Sequence, residues 1–384
     1  MAYQFKLPDL VILGERALEA SEGVIKNLGK KALIVTGKIV TKTGVVDMLT
    51  NYLEQWGIEA VVFHDIPGEP TDRMVEAGVR VYKEADCDFI IGIGGGSPLD
   101  SAKAIAAMSV LPGQITDYLG IDITGDFPPM VLIPTTAGTG SEATRYTVIT
   151  DSVKDIKMLL KGDDLLPKLA VIDPAFTVTA PPTVTAATGM DALTHAVEAY
   201  TSRKGNPMTE LFAISAVKRI FQYLPRAYAD GEDLKAREEL SIAAFEAGVC
   251  INNASVTLVH GMSRPIGAIF HVPHGISNAM LIADCLEFAM DGCYERFAAL
   301  AREIGTADRS MAAEEAAGAF IRELRALCRS IAIPTLQEYG ISKPDFLSAV
   351  DIMAQNAMAS GSPSNTIKEV TKEDLVGLYY RLWK

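Results

Sequence analysis

The chain of 384 residues carries 35 Lys+Arg against 48 Asp+Glu, a formal net charge of −13, with 49% hydrophobic and 22% charged residues. This composition excludes a mostly disordered chain, and the acidity disfavours nucleic acid or an anionic membrane as main partner, because both demand a basic footprint. The length fits two domains, each with a full core. The N-terminal segment MAYQFKLPDLVILGERALEA has no basic region followed by an apolar one, so no secretory signal is expected. Five cysteines without a CxxC spacing read as reduced thiols of a cytoplasmic protein. The charge-free stretch Pro174–Met190 is rich in Pro and Thr and is no membrane helix.

Apolar runs of strand length recur at Lys31–Thr36, Ala60–Phe63, Asp88–Ile93, Met130–Ile133 and Leu169–Ile172. Helical periodicity fills Val45–Trp56, Thr71–Glu84 and Ser101–Met108. Strand alternating with helix predicts a parallel sheet wrapped by helices over residues 1–180, with ligands at the carboxyl ends of its strands. From about Thr183 onward β-rich runs are scarce. Helical patterns cover Thr188–Tyr200, Pro207–Tyr223, Leu234–Ile251, Tyr294–Ile304, Ala312–Arg329, Lys343–Ala359 and Lys372–Trp383. They predict an all-helical domain over residues 181–384, joined at the Pro-rich turn Asp173–Pro182. Ligand sites favour the junction of domains, so chemistry is expected there.

Two loops of the first half carry ligand-binding character. The segment IIGIGGGSPLD, Ile90–Asp100, follows a strand and opens a helix. Glycines let backbone N–H groups approach an anion, and the helix N-terminus adds a favourable dipole. This is the physics of a pyrophosphate cradle, although Ser97 stands where the last Gly of GxGxxG would be; a tight strand-to-helix turn reads the same way. After the fourth strand comes PTTAGTGSE, Pro134–Glu142, whose hydroxyls suit a sugar or phosphate and equally suit the cap of a following helix.

Four of the five histidines lie in the second half. Asp191 and His195 in GMDALTH stand at i, i+4, on one helical face. His260 and His274 each precede a glycine, and His271 lies three residues before His274. One carboxylate and three imidazoles meet the ligand demand of a divalent cation such as Fe²⁺ or Zn²⁺. Buried in apolar sequence, such a set would be costly without a shared counter-ion.

The glycine segment, PTTAGTGSE, GMDALTHAVEAY, VHGMSRPIGA and HVPHGISNAML occur in one order along nearly the whole chain. Together they resemble the iron-containing (group III) alcohol dehydrogenases, a family that includes lactaldehyde reductase, propanediol dehydrogenase and butanol dehydrogenase. The resemblance implies a dehydroquinate-synthase-like fold: an α/β N-terminal dinucleotide-binding domain plus an all-α C-terminal domain that carries the metal. It implies metal positions at Asp191, His195, His260 and His274, with Fe²⁺ as the expected ion. Cofactor positions fall on Gly95, Gly96 and Ser97 for the pyrophosphate, with Asp100 closing that segment. Thr135, Thr136 and Thr139 fall on the adenosine and ribose side, and Lys157 at the nicotinamide ribose. The implied reaction is hydride transfer between NAD(P)H and a small aldehyde or primary alcohol, with the metal as Lewis acid. The implied assembly is a homo-oligomer, with the apolar segment Phe5–Leu13 a candidate for pairing across its interface.

Two positions depart from the small-alcohol members. Gly37 stands where many NAD-preferring relatives carry Asp, and Lys38 adds a positive charge, so NADPH is expected to be tolerated. Arg264 stands where relatives often carry His, four residues after His260. A guanidinium there would favour a small aldehyde with a carboxylate, sulfonate or phosphate tail, with Arg145 assisting; a salt bridge to an acid of the helical half is the alternative. His271 is the candidate proton relay, or a partner that orients a ligand.

Overall fold

A strand apolar at every position needs cover on both faces, and the first half of the chain meets that demand. The computed structural model describes residues 2–383, which form two compact units: Lys6–Ala180, and Pro181 onward together with residues 2–5. The first unit runs β1 (Leu10–Leu13), α1 (Ala17–Ala20), α2 (Glu22–Ile25), β2 (Lys31–Val35), α3 (Val45–Gln55), β3 (Glu59–Phe63), α4 (Asp72–Glu84) and β4 (Phe89–Gly94). It continues with α5 (Gly96–Val110), β5 (Met130–Pro134), β6 (Tyr146–Asp151), β7 (Ile156–Lys161) and β8 (Leu169–Ile172).

Six strands make one parallel sheet in the order β1-β8-β5-β4-β2-β3. Alternation along β2 sends Leu33 and Val35 into a core with Val75 of α4 and Ile105 of α5. It sends Ala32 and Ile34 into a second core with Leu49 and Leu53 of α3. The chain passes from β2 outward to β3 and then back past β2 to β4, so the strand order reverses between β2 and β4. In such a sheet the crevice at the carboxyl ends beside that reversal is where ligands bind.

The five strands expected from the sequence are present, and the structure adds three. β1 pairs in register with β8, Leu10 opposite Leu169 and Leu13 opposite Ile172; as a four-residue, half-exposed edge strand it carries little periodic signal. β6 and β7 form a separate antiparallel hairpin. Helix α5 begins at Gly96 rather than at Ser101, because Gly95 serves as its extended N-cap. A side chain on Gly92 would stand 2.9 Å from Ala102 Cβ and 2.8 Å from a Leu132 methyl, so α5 lies close against β4 only because this position is glycine.

The second unit is helical throughout: α6 (Pro182–Tyr200), α7 (Pro207–Ala229), α8 (Leu234–Asn253), α9 (Leu258–Phe270), α10 (His274–Ala289), α11 (Tyr294–Glu303), α12 (Ala313–Ser330), α13 (Leu336–Tyr339), α14 (Lys343–Ala359) and α15 (Lys372–Arg381). α6 is its central helix, buried at every position from Gly189 to Tyr200 and packed by α7, α8 and α10. The sequence reading left α9 and α10 unassigned. Pro265 interrupts the hydrogen-bond ladder of α9, and the two helices are divided by His271, in the left-handed region at φ 54, followed by Val272 and Pro273. Among the described residues no single helix is long and apolar enough to cross a membrane.

Candidate metal centre and dinucleotide cradle

Three helices of the second unit bring the carboxylate and the imidazoles together. Asp191 and His195 sit one turn apart on α6, His260 lies in the first turn of α9, and His274 opens α10. Each offers a ligand atom within 4.8 Å of the others'. The Nε2 atoms of His195, His260 and His274 lie 3.8, 3.7 and 3.5 Å from Asp191 Oδ1. Donors about 2.1 Å from a shared tetrahedral ion stand roughly 3.4 Å apart, so one cation can serve all three pairs. The rings of His195 and His260 stack at 4.7 Å, and those of His260 and His274 meet at 5.1 Å. Asp191, His195 and His260 are buried, whereas the His274 side chain is 45% exposed and gives the centre an open side.

The polar atoms around this cluster are short of protons. Asn278, one turn after His274, donates from Nδ2 to Asp191 Oδ1 at 2.7 Å, and the same nitrogen lies 3.2 Å from Nε2 of both His260 and His274. Asn278 Oδ1 and His195 Nδ1 are buried without a hydrogen-bond partner. Burial opposes ionisation of Asp191, but His195, His274, His260 and Asn278 outweigh it and hold the carboxyl below its ordinary value. Burial, then the neighbouring His195 and His274, push His260 well below the usual imidazole range. A neutral imidazole is the form that ligates. Lone pairs converging on one point with a single amide between them fit a divalent cation.

His260 has a further partner that sequence reasoning missed. Glu198, fully buried on α6, lies 2.5 Å from His260 Nδ1. Burial raises its carboxyl above the ordinary range, opposed by hydrogen bonds from Thr257, Val259 and His260. The spacing Asp191, His195, Glu198 places all three on one face of α6, which is the signal that could have found it. Asn278 was visible in the same way, at i+4 from His274.

In the first unit the two expected loops are neighbours. A Cβ on Gly95 would meet Thr136 Oγ1 at 3.6 Å, and one on Gly96 would meet Thr139 Cγ2 at 3.0 Å. No side chain caps α5, so its first turn keeps N–H groups without a side-chain acceptor, as an anion site requires. Thr135, at the end of β5, is buried, and its N–H bonds to Gly94 O at 2.8 Å.

Asp100 is bonded within the unit. Its carboxylate accepts from Ser141 Oγ and from Val148 N–H (2.9 Å), and its carbonyl accepts from Thr147 Oγ1 (2.8 Å). It ties α5 to the Thr loop and to β6. Arg145 pairs with Asp163 at 2.8 Å. Lys157, on β7, pairs with Glu69 at 2.5 Å. Gly37 follows β2, bridged to Asp65, and Lys38 Nζ lies 3.1 Å from Asp65 Oδ1. His271 is exposed, outside the four-residue cluster. Arg264, one turn after His260, is exposed and donates to Ser362 Oγ at 3.0 Å. Among the described residues it forms no ion pair with a carboxylate; the expected alternative, a salt bridge to an acid, does not form.

Two family models match the chain. The iron-containing alcohol dehydrogenase model covers residues 8–174, and the C-terminal model of the Fe-containing alcohol dehydrogenase family covers 185–383. The NAD-dependent methanol dehydrogenase of Bacillus methanolicus is 36% identical over 97% of each chain. A crystal structure of 1,3-propanediol oxidoreductase superposes with a TM-score of 0.95 over 100% of both chains at 34% identity. A sulfoacetaldehyde reductase from Bifidobacterium kashiwanohense, solved with NAD+, gives a TM-score of 0.90 over 100% of this chain and 99% of its own at 27% identity.

Proposed function

The chain belongs to the iron-containing alcohol dehydrogenase family, and from that premise we propose that it transfers a hydride between NAD(P)H and a small aldehyde or primary alcohol at a metal held by Asp191, His195, His260 and His274. The observation that carries the reading is the convergence of three imidazole Nε2 atoms within 3.8 Å of one carboxylate oxygen. A bound divalent cation supplies Lewis acidity toward a substrate oxygen, and a bound reduced nicotinamide supplies the hydride.

The protein's own part is placement and charge. Asp191 contributes the negative charge that holds a dication, and the three neutral imidazoles leave a net positive centre that favours an electron-rich oxygen. The open side at His274 is the route by which that oxygen arrives. The uncapped α5 N-terminus at Gly96 and Ser97 binds the pyrophosphate, Thr136 and Thr139 line the adjoining side, and Lys157 is released from its exposed pair with Glu69 to meet a ribose hydroxyl. His271, exposed three residues before His274, holds or passes the proton at its imidazole nitrogen. The anaerobic protein reconstituted with Fe²⁺ is expected to consume reduced-nicotinamide absorbance only when an aldehyde is added. Consumption without aldehyde, or none with any aldehyde of a broad panel, refutes the assignment.

A second reading of the substrate is favoured by Arg264. The side chain is open to solvent, yet burial by surrounding atoms lowers its pKa, opposed by Glu198. Its charge is felt at His260, and Ser362 Oγ is the neighbour it holds. A charged, ion-pair-free guanidinium at that place favours an aldehyde with an anionic tail, and one structural relative is a sulfoacetaldehyde reductase. Arg264→Ala is expected to raise KM for anionic aldehydes by about 10–100-fold, the worth of a charge-assisted hydrogen bond, and to spare neutral ones. Equal loss on both classes refutes the anionic reading.

The free cysteines, none in a disulfide among the described residues, favour the cytoplasm. Exposed Leu10 and Leu13 on the outer edge strand β1 favour a homo-oligomer.

A further inference from the structure

Glu198 holds one end of α9 and one ring of the metal cluster with the two oxygens of a single carboxylate. Its Oε1 accepts from Thr257 Oγ1 at 2.8 Å, Val259 N–H at 2.6 Å and His260 N–H at 3.4 Å. Thr257 is the N-cap residue of α9 but makes no capping bond to its own helix; its hydroxyl donates to Glu198 instead. A residue of α6 therefore satisfies the orphan N–H groups with which α9 begins. The other oxygen, Oε2, faces His260 Nδ1 at 2.5 Å. With Oε1 taken up by donors, the carboxyl meets the ring as an acceptor at Oε2, and Nδ1 carries the ring proton. A neutral imidazole has a single N–H, which leaves Nε2 with a free lone pair. That lone pair is turned to the cluster, 3.7 Å from Asp191 Oδ1 and 3.2 Å from Asn278 Nδ2.

We propose that Glu198 is a positioning residue for the metal: by accepting from Nδ1 it fixes the His260 tautomer that presents Nε2 to the cation, while its other oxygen fixes the helix start that carries His260. The proposal rests on the metal reading of the four-residue cluster. Neither role touches the substrate. The two roles are separable by chemistry, because a glutamine has one accepting and one donating end. In Glu198→Gln the amide oxygen can still receive the Thr257 and Val259 donors, and the amide nitrogen then faces Nδ1 as a donor. Nδ1 must accept, Nε2 takes the proton, and the face turned to the cation loses its lone pair.

The test compares the metal-free wild type with Glu198→Gln by NMR of ¹⁵N-labelled histidine, and measures Zn²⁺ affinity of both by competition with a chelator. The expected result is an Nδ1–H tautomer at His260 in the wild type, an Nε2–H tautomer in the variant, a Zn²⁺ affinity about 10–100-fold weaker, and a metal-free melting temperature close to wild type. A wild type that already carries Nε2–H overturns the proposal even where the variant does not fold. An Nδ1–H tautomer and full affinity in the variant overturn it as well. A wild type that binds no Zn²⁺ or Fe²⁺ at all overturns the metal site itself, and does so whichever tautomer is found.

Discussion

Lys103 is the most sharply testable residue of the α/β unit. It is fully buried on α5, and its ammonium donates to the carbonyls of Ser141 (2.6 Å), Thr144 (2.7 Å) and Tyr146 (2.8 Å), and to Thr144 Oγ1 at 3.2 Å. These acceptors belong to the chain just after Thr139, so one ammonium holds the Thr loop against the helix whose N-terminus forms the cradle. Burial pulls the Lys103 pKa down to about 8, opposed by Asp100 and Glu142, which leaves it charged at neutral pH. Lys103→Met keeps the stem and removes the donor. Three buried carbonyls then lose a partner, at about 1–3 kcal/mol each. The relief of desolvating an ammonium offsets part of this, leaving a net loss of about 3–5 kcal/mol as for other broken buried charges. For a unit of this size that is a fall in melting temperature of roughly 6–20 °C. Because the loop lining the cradle loosens, KM for NADH should rise more than kcat falls. Calorimetry on the full chain and steady-state kinetics measure both. A melting temperature within about 1 °C of wild type, with KM for NADH unchanged, refutes the clamp.

Glu142 shares that cluster, with Oε2 buried and unpartnered, and burial pushes its carboxyl up from 4.5 to about 7. Between those pH values the native chain keeps a proton that the unfolded chain has lost, so stability falls as pH rises through the window and levels off above it, by an amount on the order of 3 kcal/mol. Denaturant midpoints at both ends of the window should show this fall in the wild type and a flat profile in Glu142→Gln; the same slope in both refutes the assignment. His274→Ala should lose iron by elemental analysis, whereas His271→Ala should keep it and alter the pH–rate profile. Iron retained in the first, or an unchanged profile in the second, refutes the respective role. Gly37 offers no carboxylate to repel a 2′-phosphate, and the exposed Lys38–Asp65 pair is of the kind worth about 0–1 kcal/mol. Thus kcat/KM with NADPH should fall within roughly tenfold of that with NADH; a preference of a hundredfold for NADH refutes this.

The legible parts of the molecule are those in which a local pattern and its tertiary use coincide. β2, β4 and β8 are runs buried on both faces, so their apolarity was continuous and bounded by breakers. Asp191 and His195 share a turn of one helix, and the spacing alone reveals them. β1 was obscured because an edge strand buries only part of each residue. β6 and β7 were obscured because half of each strand faces outward: in β7, Met158 and Leu160 are buried while Lys157, Leu159 and Lys161 are exposed. Glu198 and Lys103 escaped for a different reason. A charged residue within a helix reads as surface, and only long-range geometry, Thr257 reaching back to Glu198 and the Thr loop folding over Lys103, shows that each is buried and satisfied.

The Lys103 cluster and the Asp191 cluster handle buried charge in opposite ways, and the difference separates scaffold from chemistry. In the α/β unit the buried cation is the protein's own. Lys103 has its acceptors around it, and Asp100 is bonded to Ser141 and Val148. That cluster is nearly closed, with Glu142 Oε2 its one unpartnered atom, and it rigidifies backbone. In the helical unit two buried carboxylates, Asp191 and Glu198, form ion pairs among the described residues with imidazoles only, while Asn278 Oδ1 and His195 Nδ1 stay unpartnered. His260, whose pKa burial pushes well down, cannot balance such charge. The cation that does so has to come from outside the chain, and His274 is the exposed edge of the centre. The same deficit that makes the helical centre unstable alone makes it a Lewis-acid site when filled.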